Sequence, residues 1–475
     1  MLEVLSILYL LIPVLIFVLG WLKPVIAIPT AILLVGTWLA FVKNMTTKPM
    51  PQLQWKKTLP AVALVVVWVL WAGTGGVIWQ NPWDHKFRNA IFMDLVNRSW
   101  PVMQDGNALC YYIGFWMPAS LVGKVLGMEA GYIFQILWAG TGVMLTVFLL
   151  WKYLGVQKIR TVLLLLFYSG LDVLLFLAIS VLKKRGASEI LQLLYHGTHI
   201  ELLTTYFCSS SNTTLLFWLY NQIVPFWVGF MLILNQRKNK GIFFVYALMI
   251  FFCPFPCVAL IPAVLYMFVK EQILCNQKPT LCNALKTLLS WENIALIPYL
   301  LILVLYYGSN VAVNKMGIVP LNIRTVALFL AAFVAEYGIY LCFIFPKNKN
   351  DHLLRIMLIT TVLCSFVVMG NSYDFAWRTC IPLAFYVMLL IAKMINCFSW
   401  KKISSVLLTV ALLLGAVTPA TEFLRTAHME VQVLEGMQQA RSDTLPTVFT
   451  RENNECYDNF IGSGESLFFS ILCKD

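Results

Sequence analysis

Residues 2–22 read LEVLSILYLLIPVLIFVLGWL. An apolar run of about 20 residues is the length that crosses the hydrocarbon core of a bilayer as a helix. No basic stretch opens this run, and Lys23-Pro24 and a second apolar run follow it. It therefore reads as a span or signal anchor, not a cleaved signal peptide. Similar runs recur at 25–42, 59–79, 108–126, 130–151, 161–182, 214–234, 241–269, 293–308, 325–345, 354–370, 379–398 and 403–419. The expected fold class is all-α, a polytopic transmembrane helix bundle. The 475 residues are 60% hydrophobic and 12% charged, against about a quarter charged in a soluble domain. A membrane β-barrel is excluded because its ten-residue alternation is absent.

The net charge of +12 comes from basic residues scattered over short loops. That distribution argues against a nucleic-acid partner and for retention of Lys and Arg on the cytoplasmic side. The basic loops Lys43–Lys57, Gln236–Lys240 and Pro346–Arg355 are assigned to the cytoplasm. Segments 81–107, 183–213, 309–323, 371–377 and the tail after 420 then lie outside. Strict alternation would export Lys152, Lys158, Arg160 and the Lys270–Lys286 loop. One dipping segment in each of 108–126 (Pro118, Gly123) and 241–269 (Cys253-Pro254-Phe255-Pro256) repairs this. The expectation is about 11 full spans plus two re-entrant segments, or about 11–13 membrane segments in all. Three regions follow: 1–57 with two helices and a basic loop, a core at 58–419, and an outer tail at 420–475. Most of the 12 cysteines lie in apolar runs and read as small hydrophobes. Cys456 and Cys473 are candidates for a tail disulfide in an oxidising compartment.

Three polar segments on the outer side carry the candidate chemistry. The first is Asn81-Pro82-Trp83-Asp84-His85-Lys86-Phe87-Arg88-Asn89, followed by Asp94 and Ser99-Trp100-Pro101. On a helix, Asp84, Arg88 and Phe92 share one stripe. The plain reading is an interfacial anchor with solvated charges. The functional reading makes Asp84 or Asp94 a general base, with Lys86 and Arg88 neutralising a phosphate leaving group. The second segment holds His196, His199, Glu201 and the run Ser209–Thr214, including Asn212. His-x-x-His-x-Glu is a weak metal spacing, so a divalent metal is not favoured and the cofactor is left open. The Ser/Asn/Thr run suits polyol recognition and equally suits helix N-capping. The third segment is Asn371–Arg378. There Asp374 and Arg378 either pair at a helix start or present Arg378 to an anionic headgroup. Asp172 and Glu336 lie within apolar runs, so each is expected to face a polar interior.

These motifs resemble a family of bacterial polytopic membrane proteins found with surface-polysaccharide functions. The resemblance rests on Asp84, Asn89-Ala90, Asp94-Leu95, Trp100-Pro101-Val102, Tyr111-Tyr112 and Gly123-Lys124. It continues through Ser169-Gly170-Leu171-Asp172, His199, Glu201, Ser210–Thr214, Leu216-Phe217-Trp218, Asp374, Arg378, Pro382 and Asn459-Phe460-Ile461-Gly462. It covers about 80–475 and departs at Arg88, where the family has histidine. The family in turn is similar in layout to GT-C membrane glycosyltransferases. That similarity implies a catalytic acidic residue in the first long outer loop, a polyprenyl-phosphate sugar donor, and a glycan or lipid acceptor of the cell envelope.

The expectation is an integral-membrane glycosyltransferase with Asp84 as base and Asp94 as second choice. Lys86, Arg88 and Arg378 would hold the donor phosphate. His85, Asn89, His196, His199, Glu201, Asn212 and Asp374 would complete the binding surface, with Trp83, Trp100 and Tyr206 stacking on sugars. The rivals are a transporter or flippase of lipid-linked glycans, and a polysaccharide polymerase.

Overall fold

The fold is given by a computed structural model. It describes residues 1–46, 48–76, 84–202, 204, 206–236, 241–270, 281–369, 373–397, 401–434, 445–452, 454 and 456–474. Trp83, Asn371, Ser372 and the basic loop at 237–240 lie outside the described residues, so the readings made on them have no structural counterpart.

The protein is an all-α polytopic helix bundle. Among the described residues, nine helices are long and apolar enough to cross a membrane, from Leu2–Trp21 to Ile403–His428. Three shorter apolar helices accompany them, at Ile113–Leu126, Pro254–Val269 and His352–Cys364. Strands are confined to three-residue or shorter pieces at one end of the bundle.

Two segments do not cross. The strand Asn107–Leu109 pairs with Ile461–Ser463, and Lys124 Nζ donates to the Val96 carbonyl at 3.1 Å. Both ends of the Ile113–Leu126 segment therefore sit at one end of the bundle. Pro254 starts a new helix after Ile242–Ile250, and Tyr246 Oη donates back to the Cys257 carbonyl at 2.8 Å. Phe243 meets Phe268 at 5.0 Å, so this segment is a hairpin entering from the opposite end. The two re-entrant segments touch at Gly114, where a β-carbon would lie 2.8 Å from both Phe251 and Phe252.

The two ends of the bundle are closed by different contacts. One gathers Lys48 beside Asn235, Gln157 on Gln54, Lys393 on Tyr153 and Arg160 on Asn396. Just inside it, Lys152 pairs with buried Glu3. At the other end, Lys474 N–H donates to the Trp21 carbonyl at 3.0 Å, and Asn310 bridges to Gly462. The tail is thus built into this end rather than hanging from it.

Two expectations about the tail change. The boundary at 420 falls inside the helix Val417–Leu434, because Glu422 and Arg425 neutralise each other and do not end it. The Cys456–Cys473 disulfide is absent, since Cys473 is a buried free thiol held in a bridge with Leu22. The first helix packs into the common core, where Tyr9, Phe17 and Trp21 are buried.

Candidate functional site

Asp84 is the first described residue of the helix Asp84–Asn97. One turn on, Arg88 donates to it at 2.8 Å. Asp374 opens the helix Asp374–Thr379, where the positive end of the helix dipole favours a carboxylate, and accepts from Arg378 at 2.7 Å. Both pairs are i,i+4, the spacing that sequence alone made available. Their meeting is the finding. Asp84 lies within electrostatic reach of Asp374 and Arg378 as well as of Arg88 and Lys86. Partial enclosure pushes the Asp84 carboxyl above its ordinary range, against the pull of Arg88.

Tyr111 lies beside both pairs, and the Tyr112 ring packs against it with centroids 4.4 Å apart. Tyr111 senses Arg378, Arg88, Asp374 and Asp84 together. Arg88 is only 5% exposed and packs 5.4 Å from the Tyr220 ring. Its Nη1 has no hydrogen-bond partner among the described residues. An uncommitted buried guanidinium nitrogen is costly unless an acceptor reaches it. The floor is made by the tail: Cys110 N–H donates to the Phe460 carbonyl at 2.8 Å, and the Phe460 ring meets Tyr111 at 4.9 Å.

The neighbours of this site have other duties. His85 is fully buried and donates from Nε2 to the Phe217 carbonyl at 3.0 Å. Burial, then Arg88, pushes it down to about 3, so it is a neutral anchor to the helix Asn212–Asn235. Lys86 Nζ sits 4.7 Å over the Phe87 ring, and Asn89 is buried. Asp94 does not join Asp84. Its Oδ1 accepts from Arg98 at 2.8 Å, and its Oδ2 accepts from Thr447 Oγ1 at 2.8 Å and Val448 N–H at 2.9 Å. That carboxylate is a clasp on the tail, because every strong acceptor direction points at protein. Trp100 is likewise structural, donating to the Leu95 carbonyl at 2.8 Å.

His196, His199, Glu201 and Asn212 each have partners within the protein. His196 meets His428 at 5.2 Å, while His199 stacks on Trp218 at 5.7 Å and is pushed down to about 3 by burial, then Arg425. Glu201 Oε1 accepts from Ser211 N–H and Thr214 Oγ1, both at 2.8 Å. Ser211 in turn caps the helix by accepting from Thr214 N–H at 3.0 Å. The Ser/Asn/Thr run is thus a helix start. Asn212 Nδ2 donates to the Leu165 carbonyl at 2.9 Å and ties two helices together. The Tyr206 ring packs on Tyr373 at 4.9 Å, and its carbonyl accepts from Trp377 at 3.2 Å. Among the described residues, no three His, Cys, Asp or Glu side chains are grouped to hold a metal ion.

Glu422 and Arg425 were missed in sequence. Glu422 accepts from Trp218 at 2.7 Å, and Arg425 lies 4.9 Å over the same ring. An acidic and a basic residue three apart at the end of an apolar run were the available signal.

Comparison with protein-family models, with curated proteins and with solved structures gives no match. What the fold defines is the class, a multi-pass α-helical membrane protein.

Proposed function

We propose that the protein is an integral-membrane glycosyltransferase that takes its sugar from a polyprenyl-phosphate donor. The acceptor is a glycan or lipid of the cell envelope, and the reacting groups meet on the extracytoplasmic side. The observation that carries this reading is the convergence of the Asp84–Arg88 and Asp374–Arg378 pairs beside Tyr111, with Arg88 Nη1 without a hydrogen-bond partner among the described residues.

In this reading the two guanidiniums receive the donor phosphate, which planar forked donors suit better than ammonium groups. Asp84 takes the proton of the acceptor hydroxyl as its oxygen bonds to the sugar's anomeric carbon. The anomeric carbon–oxygen bond to phosphate breaks, and the lipid phosphate leaves with the electron pair, stabilised by Arg88 and Arg378. A carboxyl raised above its ordinary range is a stronger proton acceptor once ionised. Asp374 orients Arg378. His85 fixes the helix that carries Asp84 and Arg88.

The test is sugar transfer by purified protein from a polyprenyl-phosphate sugar in detergent or vesicles. Asp84→Asn is expected to lose transfer at least a hundredfold. Undiminished transfer in that variant overturns the mechanism. Movement of a lipid-linked glycan across vesicles without any sugar transfer overturns the class and favours the flippase.

A further inference from the structure

Four interruptions of helical backbone meet deep in the bundle. The first is the stretch between Ile159–Phe167 and Asp172–Leu182, inside one membrane-length segment. The second is a π-helical turn at Val334–Gly338. The third separates Ile403–Gly415 from Val417–Leu434, and the fourth is the start of Asn212–Asn235. The interruptions bond to one another. Leu171 N–H donates to the Ala335 carbonyl at 2.8 Å, Tyr340 Oη donates to the Ser169 carbonyl at 3.1 Å, and Asn212 N–H donates to the Tyr168 carbonyl at 3.3 Å. Gly170 and Gly415 permit this approach. A β-carbon on Gly170 would strike the Glu336 carboxyl, and one on Gly415 would lie 2.7 Å from Tyr340 Oη. Broken helices meeting at membrane depth are a recurrent architecture for ion and proton sites, and π-turns recur at functional positions.

The groups at this junction are acidic. Asp172 and Glu336 lie within electrostatic reach of each other. Asp172 Oδ2 accepts from Ser169 at 3.1 Å and from Thr418 at 3.3 Å. Two adjoining buried carboxyl groups do not both ionise, so one of them carries a proton. Glu201 acts on both Asp172 and Glu336, and its Oε2 is buried with no hydrogen-bond partner among the described residues. Tyr168 Oη is likewise buried and without such a partner, in reach of Glu336 and Asp172.

The other titratable groups facing the cluster are Tyr337 and Tyr340 from the Glu336 side, and Cys208 and Cys380 from the elements beside it. Glu422 completes the set and is occupied by Arg425. No basic side chain among the described residues is bonded to Asp172, Glu336 or Glu201. A cavity of about 30 Å³ lies against Glu336, Tyr337, Ser209 and Cys380, which is room for a water.

We infer that Asp172, Glu336 and Glu201 form an intramembrane proton-binding site at the junction of the four interruptions. One proton is held between Asp172 and Glu336, with the Glu336 side reaching the cavity, and Glu201 lies within electrostatic reach of both. The site is separate from the Asp84–Arg378 site, and its existence does not depend on sugar transfer.

The test is infrared difference spectroscopy of full-length protein in nanodiscs across a pH titration. Samples are labelled with ¹³C-aspartate or with ¹³C-glutamate. The expected result is a protonated-carboxyl band at neutral pH that shifts with label and is lost in both Asp172→Asn and Glu336→Gln. Where a variant does not fold, the labelled wild type decides alone. Absence of any protonated-carboxyl band in wild type at neutral pH overturns the inference, as does a band unchanged in both folded variants. Loss of the band on adding sodium at constant pH, with proton release, overturns the proton as the occupant.

Discussion

Asp94 accepts the backbone N–H of Val448 at 2.9 Å, joining residues 354 positions apart. With Arg98 and Thr447 on the same carboxylate, this contact fastens the tail to the first long loop. Asp94→Ala is expected to destabilise the folded protein by about 2 kcal/mol, the scale of hydrogen bonds to a buried charge. The tail beyond Leu445 should become sensitive to protease. Thermal unfolding in detergent and limited proteolysis read both effects. An unchanged melting curve and an intact tail would contradict the clasp.

The meeting of the two re-entrant segments gives a second prediction. Gly114 has no room for a side chain against Phe251 and Phe252. Gly114→Ala should cost about 1–3 kcal/mol, as overpacking of a filled core does. Gly106 and Gly140 face open space, but Gly106 has a φ of +75°, so Gly140→Ala is the fair control. It should leave the melting temperature unchanged or slightly raised.

Much of this architecture was legible in the chain. The apolar runs marked the spans, and Cys253-Pro254-Phe255-Pro256 marked a hairpin because closely spaced prolines remove ladder donors and favour a helix start. The Asp84–Arg88 and Asp374–Arg378 pairs followed from their spacing. What was not legible is which local units meet. Asp172 and Glu336 each announced a polar surrounding, but nothing local said they would find each other. Asp94 looked as available for chemistry as Asp84, because its partners Thr447 and Val448 lie far along the chain. The polar run at Ser209–Thr214 served capping rather than recognition, an alternative its composition already allowed.

Asp84 should set the acid limb of sugar transfer. A general base works ionised, and partial enclosure raises this carboxyl above its ordinary 3.8. Transfer should therefore fall as pH drops through that raised value, with the limb displaced to higher pH than a free aspartate gives. Rate–pH profiles of wild type and Arg88→Lys check this. Weakening the Arg88 contact, which holds the carboxyl down, should move the limb further up.

In the proposed mechanism the Asp84–Arg88 and Asp374–Arg378 pairs make one phosphate site. The affinity of purified wild type, Arg88→Lys, Arg378→Lys and the double variant for polyprenyl phosphate tests this. Each single change is expected to weaken binding about tenfold or more, and the double variant to depart from additivity by at least about 0.5 kcal/mol, as groups sharing one ligand do. Full-strength binding in either single variant, or strictly additive losses, would contradict it.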